Sequence, residues 1–188
     1  GIGPMRNLAH LLASGADGAS PLTGRELIAR KAARLTVMAG NFTPGCDAPE
    51  WNVEMDLTSA RLILETWPGE INLLGWEAGA DVIALREPHA LSPENPVAQA
   101  YRLYAGGAGR NSWDLCTVQW AMHPDCPFYD PSAPGLVTLD AQGVSRWRPM
   151  PGGRHRFLSL AAAPEEIAAD MEKTLAAFDL KKAARAGN

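Results

Sequence analysis

The sequence predicts an α/β fold with a mostly parallel sheet and flanking helices, followed by a C-terminal β-hairpin and helix. Two short apolar runs, residues 34–40 and 70–75, each end in glycine, which is typical of buried parallel strands. An amphipathic helix pattern separates them, and this order of strand, helix and strand predicts a βαβ unit with a right-handed crossover. Because 46% of the 188 residues are hydrophobic, the chain can bury a sizeable core, and we expect a single domain over residues 1–188.

Helices are predicted on both sides of the first strand. Apolar residues recur every three or four positions over residues 5–14, and a second helical stretch covers residues 23–33. After a long loop over residues 41–52, the pattern predicts a helix that begins at the N-cap Asp56 and ends before Pro68.

The second half of the chain continues with helices over residues 96–104 and 112–122. The glycine-rich segment between them, residues 106–109, is predicted to be a mobile loop. The later elements are a β-hairpin over residues 135–148, a further strand over residues 155–160, and an amphipathic helix that begins at Pro164.

Composition and charge exclude several functional classes. The chain has 17 Lys plus Arg and 21 Asp plus Glu, a net charge of -4, and its basic residues are scattered, so no nucleic-acid partner is expected. No run of eighteen apolar residues and no secretory signal pattern occurs, so we expect a cytoplasmic protein without membrane contact. The three cysteines form no C-x-x-C pair, which predicts reduced thiols, and the four histidines show no zinc-binding spacing.

Polar side chains follow the first predicted strand, where ligands bind in parallel sheets. Glu50 and Asn52 flank Trp51 in the loop, and a carboxylate beside an amide can bind two hydroxyl groups of a sugar. A solvated loop explains the same residues equally well. Asp114 lies near a predicted helix N-terminus, where a carboxylate also stabilises the helix dipole. Trp76 and Trp113 lie beside polar residues as well, although most tryptophans belong to a core.

Several segments carry a family resemblance. In order along the chain they are residues 3–9 (GPMRNLA), 35–40 (LTVMAG), 49–52 (PEWN) with Asp56, and 112–114 (SWD). Together they resemble the second half of the calcium-dependent nucleoside hydrolases, the inosine-uridine preferring family. A divergent branch of that family is most similar, because it shares a Gly-x-Glu-x-Gly segment, here residues 75–79, and a Ser-aromatic-Asp motif. The hairpin and the final helix also fit that branch, so the resemblance covers nearly the whole chain.

The resemblance implies an α/β enzyme of purine or pyrimidine salvage that hydrolyses the N-glycosidic bond of ribonucleosides with a calcium-bound water. By position, Asp114 would be a calcium ligand, and Ile2 would offer its backbone carbonyl to the same ion. Loss of the base builds oxocarbenium character on the ribose, which nearby carboxylates stabilise, while the ion orients water and lowers its pKa.

The same resemblance implies a substrate pocket. Glu50 and Asn52 would hold ribose hydroxyls, Met38 would line the pocket, and Trp113 would contact the substrate. Asn41 is a weaker transfer, because the loop between Met38 and Glu50 is shorter than the usual pattern. Base contacts would come from loops such as residues 86–96, so the sequence leaves the choice between purine and pyrimidine open.

Two departures from the family pattern affect the chemistry. Many members carry a histidine that assists the leaving base, and Trp113, which stands in its place, cannot donate a catalytic proton at neutral pH. The family's N-terminal cluster D-x-D-x-x-x-D-D, which supplies most calcium ligands and the general base, is absent from this sequence. Asp114 and Ile2 fall short of the six to eight oxygens that calcium needs. We therefore expect a C-terminal portion whose activity depends on an upstream segment.

The alternative is a truncated or degenerate relative that keeps the fold, with a sugar pocket or an oligomer interface, and has lost hydrolysis. In either case we expect a homo-oligomer, because removing the first strands of a parallel sheet exposes an edge and apolar surface.

Overall fold

The computed structural model describes residues 1–32, 34–87 and 89–186, with the backbone alone for residues 179–186. Its helices are α1 (Arg6–Ala13), α2 (Gly24–Lys31), α3 (Trp51–Met55), α4 (Leu57–Thr66), α5 (Trp76–Ala80), α6 (Pro96–Ala105), α7 (Trp113–Met122) and α8 (Pro164–Ala186). Its strands are β1 (Arg34–Met38), β2 (Glu70–Leu74), β3 (Ile83–Arg86), β4 (Ala108–Asn111), β5 (Tyr129–Pro131), β6 (Gly135–Leu139), β7 (Ser145–Pro149) and β8 (His155–Leu160).

The main sheet is mixed. Its strand order is β1-β2-β8-β6-β7, and β5 pairs with β8. Strands β1, β2 and β8 are parallel, with Val37 opposite Leu73 and Leu74 opposite Leu158. The hairpin of β6 and β7 joins antiparallel, as does β5. The predicted α/β class with flanking helices, hairpin and final helix is therefore confirmed.

Two hydrophobic cores lie on opposite faces of this sheet. Side chains alternate along a strand, so Leu35 and Val37 point to the core shared with α1, α2 and α4. Leu74 and Leu158 point to the other core, which α5, α7 and α8 cover. Because both faces are covered, the carboxyl ends of β1 and β2 remain the accessible edge for a ligand.

The structure corrects several sequence-based boundaries. The predicted loop over residues 41–52 ends early, because Glu50 is the N-cap of α3. The predicted mobile loop over residues 106–109 is wrong, because Ala108 already begins β4, which pairs antiparallel with β3. Strands β3, β4 and β5 are too short to show a pattern in the sequence. Ala33, at the end of the second predicted helix, lies outside the described residues.

None of the helices in the described ranges combines the length and the apolar run that a membrane crossing requires. Cys46, Cys116 and Cys126 are free thiols.

Candidate functional site

The carboxyl ends of β1 and β2 lie side by side and stay paired beyond the strands. The Ala39 N–H donates to the Leu74 carbonyl at 3.0 Å, and the Trp76 N–H donates at 2.8 Å to a carbonyl beyond β1. That carbonyl belongs to Gly40, whose φ of 87° lies in the left-handed region that favours glycine. The chain therefore leaves the sheet at a fixed point, and the loops after both strands start at one edge.

Glu50 is buried at this edge and is held by backbone amides. Its side chain is 5% exposed. Its Oε1 accepts the Asn52 N–H at 2.9 Å, and its Oε2 accepts the N–H groups of Gly40 at 3.3 Å and Val53 at 3.4 Å. The carboxylate thus caps α3 and ties it to the end of β1. Three donors leave part of its accepting capacity for a ligand.

Asn52 and Met38 form a second buried contact beside Glu50. The Asn52 Nδ2 donates to the Met38 carbonyl at 3.1 Å and lies 3.1 Å from the Met38 Sδ. Asn52 is 7% exposed and Met38 is 4% exposed. Within the described residues the Asn52 Oδ1 accepts no hydrogen bond, so an acceptor is available next to the Glu50 carboxylate. The burial of both polar side chains excludes the solvated loop that the sequence left open.

Asp114 converges on the same edge from the first turn of α7. Burial is the main cause that raises the pKa of Glu50, and the charge of Asp114 raises it further. Asp114 itself stays partly open to solvent, yet burial raises the pKa of its carboxyl, and the amino group of Gly1 opposes that shift. The three groups therefore lie close enough for their charges to interact.

Gly1 places the chain start against the outer edge of β1. Its N–H group donates to the Thr36 carbonyl at 2.7 Å, and its carbonyl accepts the Met38 N–H at 2.9 Å. Ile2, whose carbonyl was assigned to calcium, follows directly and has a half-exposed side chain. Ile2 and Asp114 are thus both at this edge, although their roles as metal ligands stay predictions.

The Gly-x-Glu-x-Gly segment explains how α5 positions the start of α7. A Cβ at Gly75 would lie 2.5 Å from the Glu77 carboxylate, which folds back to accept the Phe42 N–H at 3.1 Å. A Cβ at Gly79 would lie 2.4 Å from the Trp113 Cα. Burial raises the pKa of Glu77. Gly79 is therefore required by close approach to backbone atoms, and α5 can pack directly against the helix that carries Asp114.

A cavity of about 470 Å³ opens beside Asp114. Trp113 lines it, and the indole Nε1 of Trp113 donates to the Trp76 carbonyl at 2.7 Å, which fixes the ring. Tyr101 and Tyr104 from α6 and Arg110 from β4 complete the aromatic wall. Burial, followed by the charge of Asp114, raises the pKa of Tyr101. The cavity can therefore hold a flat ring next to the polar edge.

Asn41 lines a different cleft from the one beside Asp114. Its Oδ1 accepts the Thr43 N–H at 3.0 Å and so closes a local turn. Its side chain lines a separate cleft of about 240 Å³ together with Ser145 and Arg146. The role of Asn41 in substrate binding stays a prediction, and the structure does not bring its amide to Glu50 and Asn52.

The donor set is too small for a complete calcium site. In the described part of the chain, no group of three or more His, Cys, Asp or Glu side chains is arranged to hold a metal ion. Asp114 and the Ile2 carbonyl supply two oxygens, against the six to eight that calcium takes. These two groups alone do not complete a calcium site.

Sequence reasoning missed three residues of this region. Arg110 follows a stretch with three glycines, Gly106, Gly107 and Gly109, that shows no strand pattern, so no sequence signal marked it. Tyr101 and Tyr104 are spaced three apart on a predicted helix, and this helical spacing was the available signal that they share a face.

Comparisons with known proteins support the fold. The sequence matches no protein-family model and no curated protein. Among solved structures, the chain is similar to the crystal structure of the inosine-uridine preferring nucleoside hydrolase from Bacillus anthracis, with a TM-score of 0.58 and 19% sequence identity. The match covers 93% of this chain and 58% of the crystal chain, so this chain spans a little over half of that length. The similarity shows a nucleoside hydrolase-like fold.

Proposed function

We propose that this chain forms the sugar- and base-binding part of an enzyme that hydrolyses the N-glycosidic bond of ribonucleosides. The observation that carries the proposal is the pair of buried, adjacent side chains Glu50 and Asn52 at the carboxyl end of β1, with Asp114 beside them. The similarity of the fold to a nucleoside hydrolase structure supports the same interpretation.

The available atoms suit ribose hydroxyl groups. The Asn52 amide nitrogen donates to Met38, which leaves the Asn52 Oδ1 as an acceptor. The Glu50 carboxylate keeps accepting capacity beyond its three backbone donors. Sugar hydroxyls would donate to both, which fixes the ribose for attack at the anomeric carbon.

The electrostatics suit a transition state with positive charge on the sugar. The Glu50 carboxylate is buried, the Asp114 carboxylate is partly open to solvent, and the charge of Asp114 raises the pKa of Glu50. Two neighbouring carboxylates that repel each other gain stability when positive charge develops close to them. Loss of the base creates that charge, so the site favours the transition state over the neutral substrate.

The proposed enzyme would bind calcium through two ligands in this chain. The Asp114 carboxylate and the Ile2 carbonyl would bind it, and the remaining oxygens would come from outside these residues.

The direct test is release of reducing sugar from a panel of purine and pyrimidine nucleosides, with calcium and with a chelator. Asp114→Ala removes the predicted ligand, and Asp81→Ala serves as a matched control because Asp81 is an exposed aspartate at the end of α5. When the remaining calcium ligands are supplied from outside these residues, we expect calcium-dependent release that Asp114→Ala abolishes and Asp81→Ala keeps. Activity that survives Asp114→Ala would contradict the proposal.

Ribose binding tests the sugar part separately. Isothermal titration with ribose should detect binding that Asn52→Ala weakens and Asn41→Ala leaves unchanged, because the Asn41 amide lies in a different cleft. Equal loss in both variants would contradict the assignment of Glu50 and Asn52.

The second candidate is a non-catalytic relative that binds a sugar and self-associates. The small donor set and the indole of Trp113, which offers no catalytic proton, favour it. It predicts ribose binding without sugar release, together with a mass by light scattering that rises with concentration. A concentration-independent monomer would contradict the self-association.

A further inference from the structure

Arg110 is the cationic side chain of the cavity beside Asp114. It leaves β4 just before α7 and lies over two aromatic rings of the cavity wall. Its Cζ is 5.1 Å from the ring centroid of Tyr104 and 5.2 Å from that of Trp113. These are cation–π distances, so the two rings attract the guanidinium to the cavity wall.

No other group of the described residues neutralises this cation. Arg110 has no ion pair within 4.0 Å there, and its guanidinium donates no hydrogen bond to them. Arg102 on the neighbouring helix differs, because its Nε donates to Glu87 at 2.9 Å. Arg110 is exposed at the mouth of the cavity, where its five N–H donors are open to a planar acceptor or an anion.

The backbone around Arg110 is held in an unusual conformation. Arg110 on β4 pairs with Ala84 on β3. Leu85, which follows Ala84, has a positive φ of 58°. The Leu85 N–H donates to Glu172 on α8 at 2.6 Å. Gly109 has a φ of 74°, and a Cβ there would lie 2.7 Å from the Ala84 carbonyl. The hairpin therefore fixes where Arg110 leaves the backbone, and strain of this kind is concentrated at functional sites.

We infer that Arg110 binds the negative charge that develops on the leaving base. The inference rests on the proposed function and adds a group that the sequence left unassigned, since Trp113 offers no proton to the base. The carboxylates of Glu50 and Asp114 serve the sugar, which becomes positive, and the guanidinium serves the base, which becomes negative. The site is thus polarised in the direction in which the bond breaks.

The step balances without a proton donor in the protein. The bond between the anomeric carbon and the base nitrogen breaks, and its electron pair goes to the base nitrogen. A water oxygen bonds to the anomeric carbon and keeps one hydrogen as the new hydroxyl. The other hydrogen of that water is lost as a proton and ends on the base nitrogen through solvent.

Binding of a free base anion tests the inference without requiring hydrolysis. The probe is xanthine, which loses a proton near neutral pH, and the control is hypoxanthine, which ionises only at higher pH. Titrations followed by tryptophan fluorescence would run between about pH 6 and about pH 7.5, where hypoxanthine is almost entirely neutral. The other titratable groups that face Arg110 are Tyr104 and Asp114, with Tyr101 and Glu172 behind them, and the hypoxanthine series reports any effect of theirs.

We expect xanthine to bind more tightly at the higher pH, and Arg110→Gln to remove about a tenfold gain in affinity, as loss of a charge-assisted hydrogen bond would. Arg110→Lys should keep part of the gain, because it keeps the charge and loses the planar fork. Arg102→Gln, the matched control, should change nothing.

Three results would overturn the inference: xanthine that does not bind, binding that is independent of pH, or a gain that Arg110→Gln retains. Circular dichroism of Arg110→Gln and Arg110→Lys checks that both variants fold. If no nucleoside is hydrolysed and xanthine still binds through Arg110, the proposed function fails while the anion site stands.

Discussion

Glu50 combines a structural and a proposed functional role in one carboxylate. It caps α3 through two backbone N–H groups and reaches back to Gly40 at the end of β1. Hydrogen bonds from the backbone favour the ionised form, but burial has the larger effect and raises the pKa of Glu50. The same burial that prepares the carboxylate for a cationic transition state therefore makes its charge costly in the folded protein.

This balance predicts a specific pH dependence of stability. The folded-state pKa of Glu50 lies above its ordinary value of 4.5, so the stability that the protonated group contributes is lost as pH rises through the folded-state pKa. The free energy of unfolding of the wild type, minus that of Glu50→Gln, should therefore fall as pH rises above 4.5 and through the folded-state pKa. Urea denaturation across this range measures it. A difference that rises with pH would mean that the backbone donors outweigh burial.

Asn52 makes a sharper prediction, because its amide nitrogen cannot be replaced by oxygen. Asn52→Asp would remove the donor to the Met38 carbonyl and place a second carboxylate beside Glu50. We expect a loss of about 1–3 kcal/mol in the free energy of unfolding. Asn41→Asp is the matched control, because the Asn41 side chain acts as an acceptor for Thr43, a role that aspartate keeps. Denaturant titration of both variants checks this, and equal losses would contradict it.

At the scale of elements, the packing of α5 against α7 depends on a glycine. Gly79→Ala would place a Cβ 2.4 Å from the Trp113 Cα, and a backbone atom cannot move aside as a flexible side chain can. We expect a loss of about 1–3 kcal/mol, together with a displaced Trp113 and weaker base binding. Gly15→Ala is the control, since nothing lies within 4 Å of a Cβ at Gly15. Chemical denaturation followed by tryptophan fluorescence measures the free energy of unfolding of both variants. A Gly79→Ala variant as stable as the wild type would refute the close approach.

The elements that the sequence predicted are those with strong patterns. Strands β1 and β2 are mostly apolar runs followed by glycine, and α8 begins with proline and two glutamates. The unpredicted strands are different, because β4 has the sequence Ala-Gly-Arg-Asn and forms only by pairing with β3. Local sequence does not encode such pairing, so the position of Arg110 could not be predicted.

Part of the candidate site was also predictable, because some of its residues lie in segments with recognisable patterns. Glu50, Asn52 and Asp114 could be named because they follow strand ends or begin a helix in recognisable segments. Their burial and mutual electrostatics depend on how α3 and α7 pack at the end of β1, which is tertiary information. Asn41 shows the limit, because it adjoins the same strand and yet turns into another cleft.

At the scale of the whole molecule, the question is how much of a metal site one chain provides. The edge formed by β1 and β2 collects Asp114 and the Ile2 carbonyl, and a cation bound by two oxygens alone is held weakly. Any ion that binds only the folded state raises the midpoint of thermal unfolding, to an extent set by its concentration relative to Kd.

We therefore expect calcium to raise the midpoint of thermal unfolding of this 188-residue chain only at high concentration. The concentration needed would be on the order of millimolar, as in weak extracellular sites. Asp114→Asn should abolish the shift, and Asp81→Asn should retain it. Thermal unfolding followed by circular dichroism, with calcium and then with excess chelator, measures this effect. A shift at micromolar calcium would mean that this chain supplies more ligands than the two assigned here. A shift that Asp114→Asn leaves intact would mean that calcium binds away from the edge where the sugar and base pockets meet.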